Sequence, residues 1–118
     1  MTWQYSQLTG QLSHDGADVA VGYSGFGEGR NNPDLQAEPN VGPLPVGKYT
    51  IGAPHDTPTH GPYVLRLEPD PENDMLGRAG FLIHGDNATS TASHGCIILP
   101  RAIRTQIWAS GDRALVVV

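Results

Sequence analysis

The chain has a single cysteine, Cys96, among its 118 residues, so it forms no internal disulfide and holds no zinc through four thiolates. Basic residues are also few: 7 Lys and Arg stand against 12 Asp and Glu, for a net charge of −5. Because binding to phosphates needs clustered Lys and Arg, we expect no nucleic-acid partner. No apolar run approaches the ~20 residues that cross a bilayer, so we expect no membrane insertion.

The N-terminus lacks the basic segment and the apolar segment of a secretory signal. We therefore expect the protein to be made in the cytoplasm without a signal peptide. If its substrate lies outside the cytoplasm, another route than the general secretion signal must carry it there.

The 15 Gly and 10 Pro alternate with short runs of Val, Ile, Leu and Tyr, which predicts a turn-rich, mainly β domain spanning 1–118. Pro100 and Gly111 are typical of the first helical position and of the residue past a helix end, so we predict one helix over 100–110. The remaining patterns predict a hairpin at 3–8 and 11–13, strands at 19–23, 48–52, 63–68, 81–83, 96–99 and 113–118, and long loops at 24–45 and 53–62.

The segment 84–96 combines two His, an Asp, four Ser or Thr and the only Cys between two apolar runs. A free thiol is mostly protonated at neutral pH and needs a neighbouring base, usually imidazole, to attack a carbonyl. His84 ends one predicted strand and Cys96 begins the next, so pairing of these strands would bring both to one rim. The N–H groups of Gly95 and Cys96 would then form an oxyanion hole. The structural alternatives are a buried cysteine and a turn histidine.

The run Ser93-His94-Gly95-Cys96-Ile97, with His84-Gly85 upstream, resembles the signature of the L,D-transpeptidase catalytic domain. The turn and strand at 40–51 and the closing strand at 109–117 are also similar to that family. The start at 3–25 and the loop at 31–33 resemble one branch of it, the small L,D-transpeptidase-like effectors of type VI secretion systems. The likeness covers nearly the whole chain.

This resemblance implies an L,D-transpeptidase-like β-sandwich with one short helix near the C-terminus. It implies that Cys96 forms a thioester with the diaminopimelate carbonyl of a peptidoglycan tetrapeptide stem and expels the terminal D-alanine. Water as acceptor would give L,D-carboxypeptidase activity, and a free D-amino acid would give exchange. The implied catalytic set is His84 as general base oriented through Gly85, with Ser93, His94 and Gly95 shaping the catalytic loop around Cys96.

The implied surroundings of this reaction are a cognate immunity protein, the type VI secretion machinery and the target-cell periplasm, with no cofactor and no metal. The chain departs from the larger enzymes in two places. Only 8 residues separate His84 from Ser93, and Ile98 stands where the family usually has Arg. Arg101 or Arg104 could supply that charge. The predicted substrate contacts are Tyr23, with Tyr63 as the alternative, Asp86, Asn87, Arg101 and Arg104.

Several alternatives stay open from the residues alone. His55, Asp56 and His60 could join His84, Asp86 and His94 in a metal site, although no compact zinc signature is present. Asp86 could orient an imidazole or could be an Asx-turn residue. The loop 24–45 could cover the site as a lid. The chain could also be an endogenous wall-remodelling enzyme, or a non-catalytic wall-binding module on the same scaffold.

Overall fold

The structure, a computed structural model, describes residues 2–118 and consists mostly of short β-strands with one α-helix, as predicted. The strands are β1 (Trp3–Tyr5), β2 (Gln11–His14), β3 (Ala17–Val21), β4 (Tyr23–Ser24), β5 (Gly47–Ile51), β6 (His55–Thr57), β7 (Gly61–Pro69), β8 (Leu82–His84), β9 (Ile97–Ile98) and β10 (Ala114–Val117). The helix α1 spans Arg101–Ala109, and 3₁₀ turns lie at Gly27–Gly29 and Pro33–Leu35. Within residues 2–118, no helix has the length and apolar character to span a membrane.

The strands form two groups that share β7. The first group has the order β3-β2-β1-β10-β5-β7, in which the closing strand β10 runs parallel to β1. The second group has the order β7-β8-β9-β4. The C-terminal part of β7 pairs with β5, while Leu65 and Arg66 pair with β8. A single strand therefore connects the N-terminal hairpin to the strands that contain His84 and border Cys96.

Both groups and the helix contribute to one hydrophobic core. Alternate residues of a strand face opposite sides, so Trp3 and Tyr5 of β1 point inward together. Ile83 and Ile97, paired across β8 and β9, belong to the same core, whereas Ile98 does not. Ile107 of α1 packs into the same core. Ile83 and Ile97 thus pack one face of β8 and β9 into the core, while His84 and Ile98 are buried on the other face.

Three local features differ from the predictions. The predicted strand 19–23 is divided at Gly22, where a Cβ would lie 2.1 Å from the Ile98 carbonyl oxygen. The predicted loop 53–62 contains β6, which pairs with β7. Pro100 is the N-cap and not the first helical residue, because its ψ of 155° is extended. Gly111 does follow the helix end in the left-handed region, with φ of +75°.

Candidate active site

The strands β8 and β9 run parallel, with His84 opposite Ile98. The segment 85–96 returns from the end of one strand to the start of the other, as parallel pairing requires. His84 and Cys96 therefore do not meet at one rim, and that prediction is wrong. Cys96 lies just before β9, and its Sγ is next to the start of β8, where it accepts the Leu82 N–H.

His84 is buried, and its orientation is set by its neighbour. Its Nδ1–H donates to the Gly85 carbonyl oxygen at 2.8 Å, as the resemblance implied. This bond fixes the tautomer and leaves Nε2 with a free lone pair. Burial lowers the pKa of His84, and the nearby His60 and Arg104 lower it further, against opposing contributions from Gly85 and Asp86. The imidazole is therefore neutral at neutral pH and can accept a proton.

Cys96 is partly buried, and its Sγ accepts a hydrogen bond from the Leu82 N–H at 3.3 Å. Burial raises the pKa of the Cys96 thiol, while the Leu82 N–H and the Arg78 charge act in the opposite direction. Burial is the largest of these effects, so the sulfur is protonated at neutral pH. The site thus contains a neutral thiol and a neutral imidazole, not a preformed thiolate–imidazolium pair.

Ser93 holds the backbone around the cysteine. Its hydroxyl donates to the Cys96 carbonyl oxygen at 2.5 Å and accepts from the N–H groups of Gly25 and Gly95 at 2.9 and 3.1 Å. The Gly95 N–H is therefore engaged within the loop, which corrects its predicted place in an oxyanion hole. Of the predicted pair, the Cys96 N–H is the one with no acceptor among residues 2–118.

Gly95 is required for a reason that the sequence did not indicate. Its φ is +136°, and a Cβ there would lie 2.5 Å from Arg78 Nη2 and 2.8 Å from Phe81 Cε1. The missing side chain thus makes room for a buried guanidinium and a ring.

Arg78 is the functional candidate that sequence reasoning missed. Its buried guanidinium donates to the carbonyl oxygens of Gln36, Gly42, Pro43 and His94, at distances from 2.7 to 3.3 Å. Its charge also lowers the pKa of Cys96. Arg78 follows a polar turn and belongs to no motif, so the sequence contains no signal for this role.

Tyr23 connects the start of the candidate catalytic loop, residues 85–96, to its end. Its hydroxyl donates to Asp86 Oδ1 at 2.6 Å and accepts the Ala92 N–H at 3.0 Å. Asp86 therefore does not orient the His84 imidazole through Nδ1. It accepts the Tyr23 hydroxyl, and the His84 Nδ1–H donates to the Gly85 carbonyl oxygen. Asn87, and not Asp86, makes the Asx turn, since its Oδ1 accepts the Thr89 N–H at 3.2 Å.

The two helix arginines differ in their surroundings. Arg104 is buried, and its guanidinium donates to the carbonyl oxygens of Pro62, Tyr63 and Leu99. Arg101 is exposed, with its guanidinium 5.3 Å from the centre of the Tyr63 ring. Arg104 thus joins the helix to the start of β7 and to Leu99. That Arg101 or Arg104 supplies the charge of the family Arg, which Ile98 replaces here, stays a prediction.

The loop 24–45 is bonded to the catalytic loop along its length. The Ser24 hydroxyl donates to the Gly95 carbonyl oxygen at 2.9 Å, and Arg30 donates to the Ser90 carbonyl oxygen at 3.0 Å. His94 is exposed, stacks on Phe26 and bonds the Asn40 carbonyl oxygen through Nδ1. The loop therefore forms a wall of the site, and His94 helps to attach it.

The alternative metal set is not assembled. Among residues 2–118, one group of His and Asp has ligand atoms within 4.8 Å of one another, namely His14, Asp15 and Asp112. None of the His and Asp residues of the alternative metal set belongs to that group. The two histidines that do approach each other are His60 and His84, with ring centres 4.7 Å apart.

Comparisons with known proteins agree with this architecture. The model of the Tlde1 domain family matches residues 18–115. Among solved structures, L,D-transpeptidase 1 of Mycobacterium tuberculosis superposes with a TM-score of 0.53 at 18% identity. The match covers 99% of this chain and 60% of that chain, so this chain spans less than two thirds of the length of that protein. At this identity the likeness shows the fold alone. No curated protein matches the chain.

Proposed function

The chain belongs to the Tlde1 domain family of type VI secretion L,D-transpeptidase-like effectors, and from this premise we propose that it is a cysteine enzyme acting on peptidoglycan tetrapeptide stems. It removes the terminal D-alanine or exchanges it for another D-amino acid. The target cell's periplasm is the place of action, with a cognate immunity protein protecting the producer. The observation that supports this most is the tautomer of His84, whose Nδ1–H is bonded to Gly85 and whose Nε2 is left free to accept a proton.

In the proposed reaction the Cys96 thiol attacks the carbonyl of the third stem residue. His84 Nε2 takes the sulfur proton as the S–C bond forms, because both groups are neutral before the attack. The Cys96 N–H donates to the developing oxyanion. His84 then returns the proton to the leaving nitrogen, the C–N bond breaks, and D-alanine departs from a thioester.

The thioester is then cleaved by a second nucleophile, with His84 again moving the proton. Water or the amine of a D-amino acid attacks the thioester carbonyl while His84 accepts its proton, and the sulfur leaves with that proton. Ser93 and Gly95 keep the backbone of Cys96 in place throughout, and Gly85 keeps the imidazole oriented. The products are a tripeptide stem or a stem with a new terminal D-residue.

The test is mass spectrometry of disaccharide-tetrapeptides incubated with the protein, with and without D-methionine. We expect loss of 4-position D-alanine, or its replacement by D-methionine. Cys96→Ala should abolish both, and His84→Ala should slow them by about 10²–10⁴-fold. Circular dichroism of both variants checks that they fold.

Full activity of Cys96→Ala would contradict the proposed nucleophile. Unchanged muropeptides with the intact protein, together with binding to peptidoglycan, would support the wall-binding module instead. Inhibition by EDTA without inhibition by iodoacetamide would support metal chemistry.

A further inference from the structure

A cavity of about 410 Å³ is lined by Tyr23, by Ile98 and by Asp86, and its volume is within the ~300–1,000 Å³ range of ligand sites. Its position follows from strand register: Tyr23 is opposite Ile98, and Ile98 is opposite His84. Tyr23, Ile98 and His84 thus form one row across three strands, and Asp86 lies two residues after His84, so the cavity is next to the proposed base.

The lining of this cavity combines an apolar floor with two opposite charges. Val21, Ile98 and Pro100 supply apolar surface, while Arg30 and Asp86 line its polar side. The Arg30 guanidinium lies 3.8 Å from the centre of the Tyr23 ring, and Asp86 accepts the hydroxyl of the same Tyr23. Tyr23 therefore separates the two charges.

Both charges keep unused hydrogen-bonding capacity. Arg30 donates through Nη1 to the Ser90 carbonyl oxygen, and Asp86 accepts through Oδ1. Within residues 2–118 neither takes part in an ion pair. A cation and a carboxylate held apart over an apolar floor are complementary to a ligand that carries an ammonium and a carboxylate on one carbon.

We propose that this cavity binds an α-amino-acid zwitterion, with Arg30 receiving its carboxylate and Asp86 its ammonium. The inference rests on the proposed function, which supplies two sources of this chemistry. One is the free end of the diaminopimelate side chain, which a short methylene chain separates from the reacting carbonyl. The other is the D-amino acid that serves as acceptor in exchange.

The test compares tetrapeptide stems that have diaminopimelate or lysine at the third position, because lysine lacks the distal carboxylate. For the donor source, Arg30→Gln should raise KM for the diaminopimelate stem by about tenfold and leave the lysine stem unchanged. Asp86→Asn should weaken both stems but not one whose side-chain amine is acetylated. Lys48→Gln removes one exposed positive charge from β5 and should change neither stem.

For the acceptor source, Arg30→Gln should instead raise KM for D-methionine and leave the donor stems unchanged. Equal losses on both stems with no effect on D-methionine would mean that Arg30 acts only through Tyr23 and the loop, and would overturn the proposal. Unchanged kinetics on every substrate would also overturn it.

Binding separates this proposal from the proposed function. By calorimetry, Cys96→Ala should bind a diaminopimelate tripeptide about tenfold more tightly than a lysine tripeptide, and Arg30→Gln added to Cys96→Ala should remove the difference. If the intact protein turned over no stem while this preference held, the reaction would be refuted and the site retained. Equal binding of both tripeptides, with no effect of Arg30→Gln on D-methionine, would refute the site.

Discussion

At the scale of single residues, His60 faces His84 from the turn between β6 and β7, with ring centres 4.7 Å apart. His60 is exposed, and its backbone N–H is bonded to Thr57 Oγ1 at 2.7 Å. The His60 ring packs against the His84 imidazole from the surface and is not part of the hydrophobic core. Its electrostatic effect on His84 can therefore be separated from folding.

We expect His60→Ala to raise the pKa of His84, because it removes a group that lowers this pKa and admits water to a buried ring. Since the neutral imidazole is the active form, the acid limb of the pH profile of kcat/KM should move to higher pH. His55→Ala on the same hairpin is the matched control and should leave the limb in place. An unchanged limb in His60→Ala would contradict this coupling.

Cys96 gives the second prediction at this scale. Burial raises the pKa of its thiol above the ordinary value of 9.0, so the reactive thiolate forms only in alkaline solution. The rate of alkylation by iodoacetamide, followed by mass spectrometry, should keep rising above pH 9. A synthetic peptide of residues 91–101 is the control and should reach its plateau at lower pH. A plateau at acidic pH in the protein would indicate a preformed ion pair instead.

At the scale of elements, Arg78 joins the two loops that enclose the site. It bonds three carbonyl oxygens of the loop 24–45 and one of the catalytic loop. Apart from short 3₁₀ turns, these loops have little regular backbone hydrogen bonding. The bonds from Arg78 therefore pair backbone carbonyls that secondary structure would otherwise pair.

Arg78→Met should leave these buried carbonyls unpaired and lower the free energy of unfolding by ~3 kcal/mol, measured by urea denaturation. It should also raise the pKa of Cys96 further, because the positive charge that lowers this pKa is lost. Arg113→Met is the matched control, since its guanidinium donates a single bond, to the Trp108 carbonyl oxygen. An equal decrease in the free energy of unfolding in Arg78→Met and Arg113→Met would argue against the bridging role of Arg78.

At the scale of the whole molecule, His84 couples the site to stability through its burial in the sheet. Its pKa in the folded protein is below the ordinary value of 6.5. Between the two values the unfolded chain binds a proton that the folded protein does not, so stability increases with pH there. This contribution is complete above pH 6.5 and is lost as the pH falls from 6.5 through the folded pKa.

The free energy of unfolding should therefore fall more steeply between pH 7.5 and pH 5 in the native sequence than in His84→Gln. Urea denaturation at several pH values measures both curves, and the subtraction removes the contribution of the carboxylates common to both. Parallel curves would show that His84 is not buried in its neutral form.

Much of the local structure follows from short-range pattern. The helix after Pro100, the hairpin at Gly10 and the inward alternation of β1 and β10 depend on neighbours a few residues apart. The motif from His84 to Cys96 likewise identifies the family from consecutive residues, and the family match over residues 18–115 confirms it. Such features are determined by backbone geometry and side-chain periodicity, which the sequence contains directly.

The arrangement of the site depends on contacts between distant segments. The parallel register of β8 and β9, the Tyr23–Asp86 bond and the bridging Arg78 each join residues more than ten positions apart. No local pattern encodes such pairings, because their free energy is gained only when the core brings the segments together. The sequence by itself thus determined the family and the short-range structure, and the tertiary structure alone decided which strands pair around His84 and which charges surround it and Cys96.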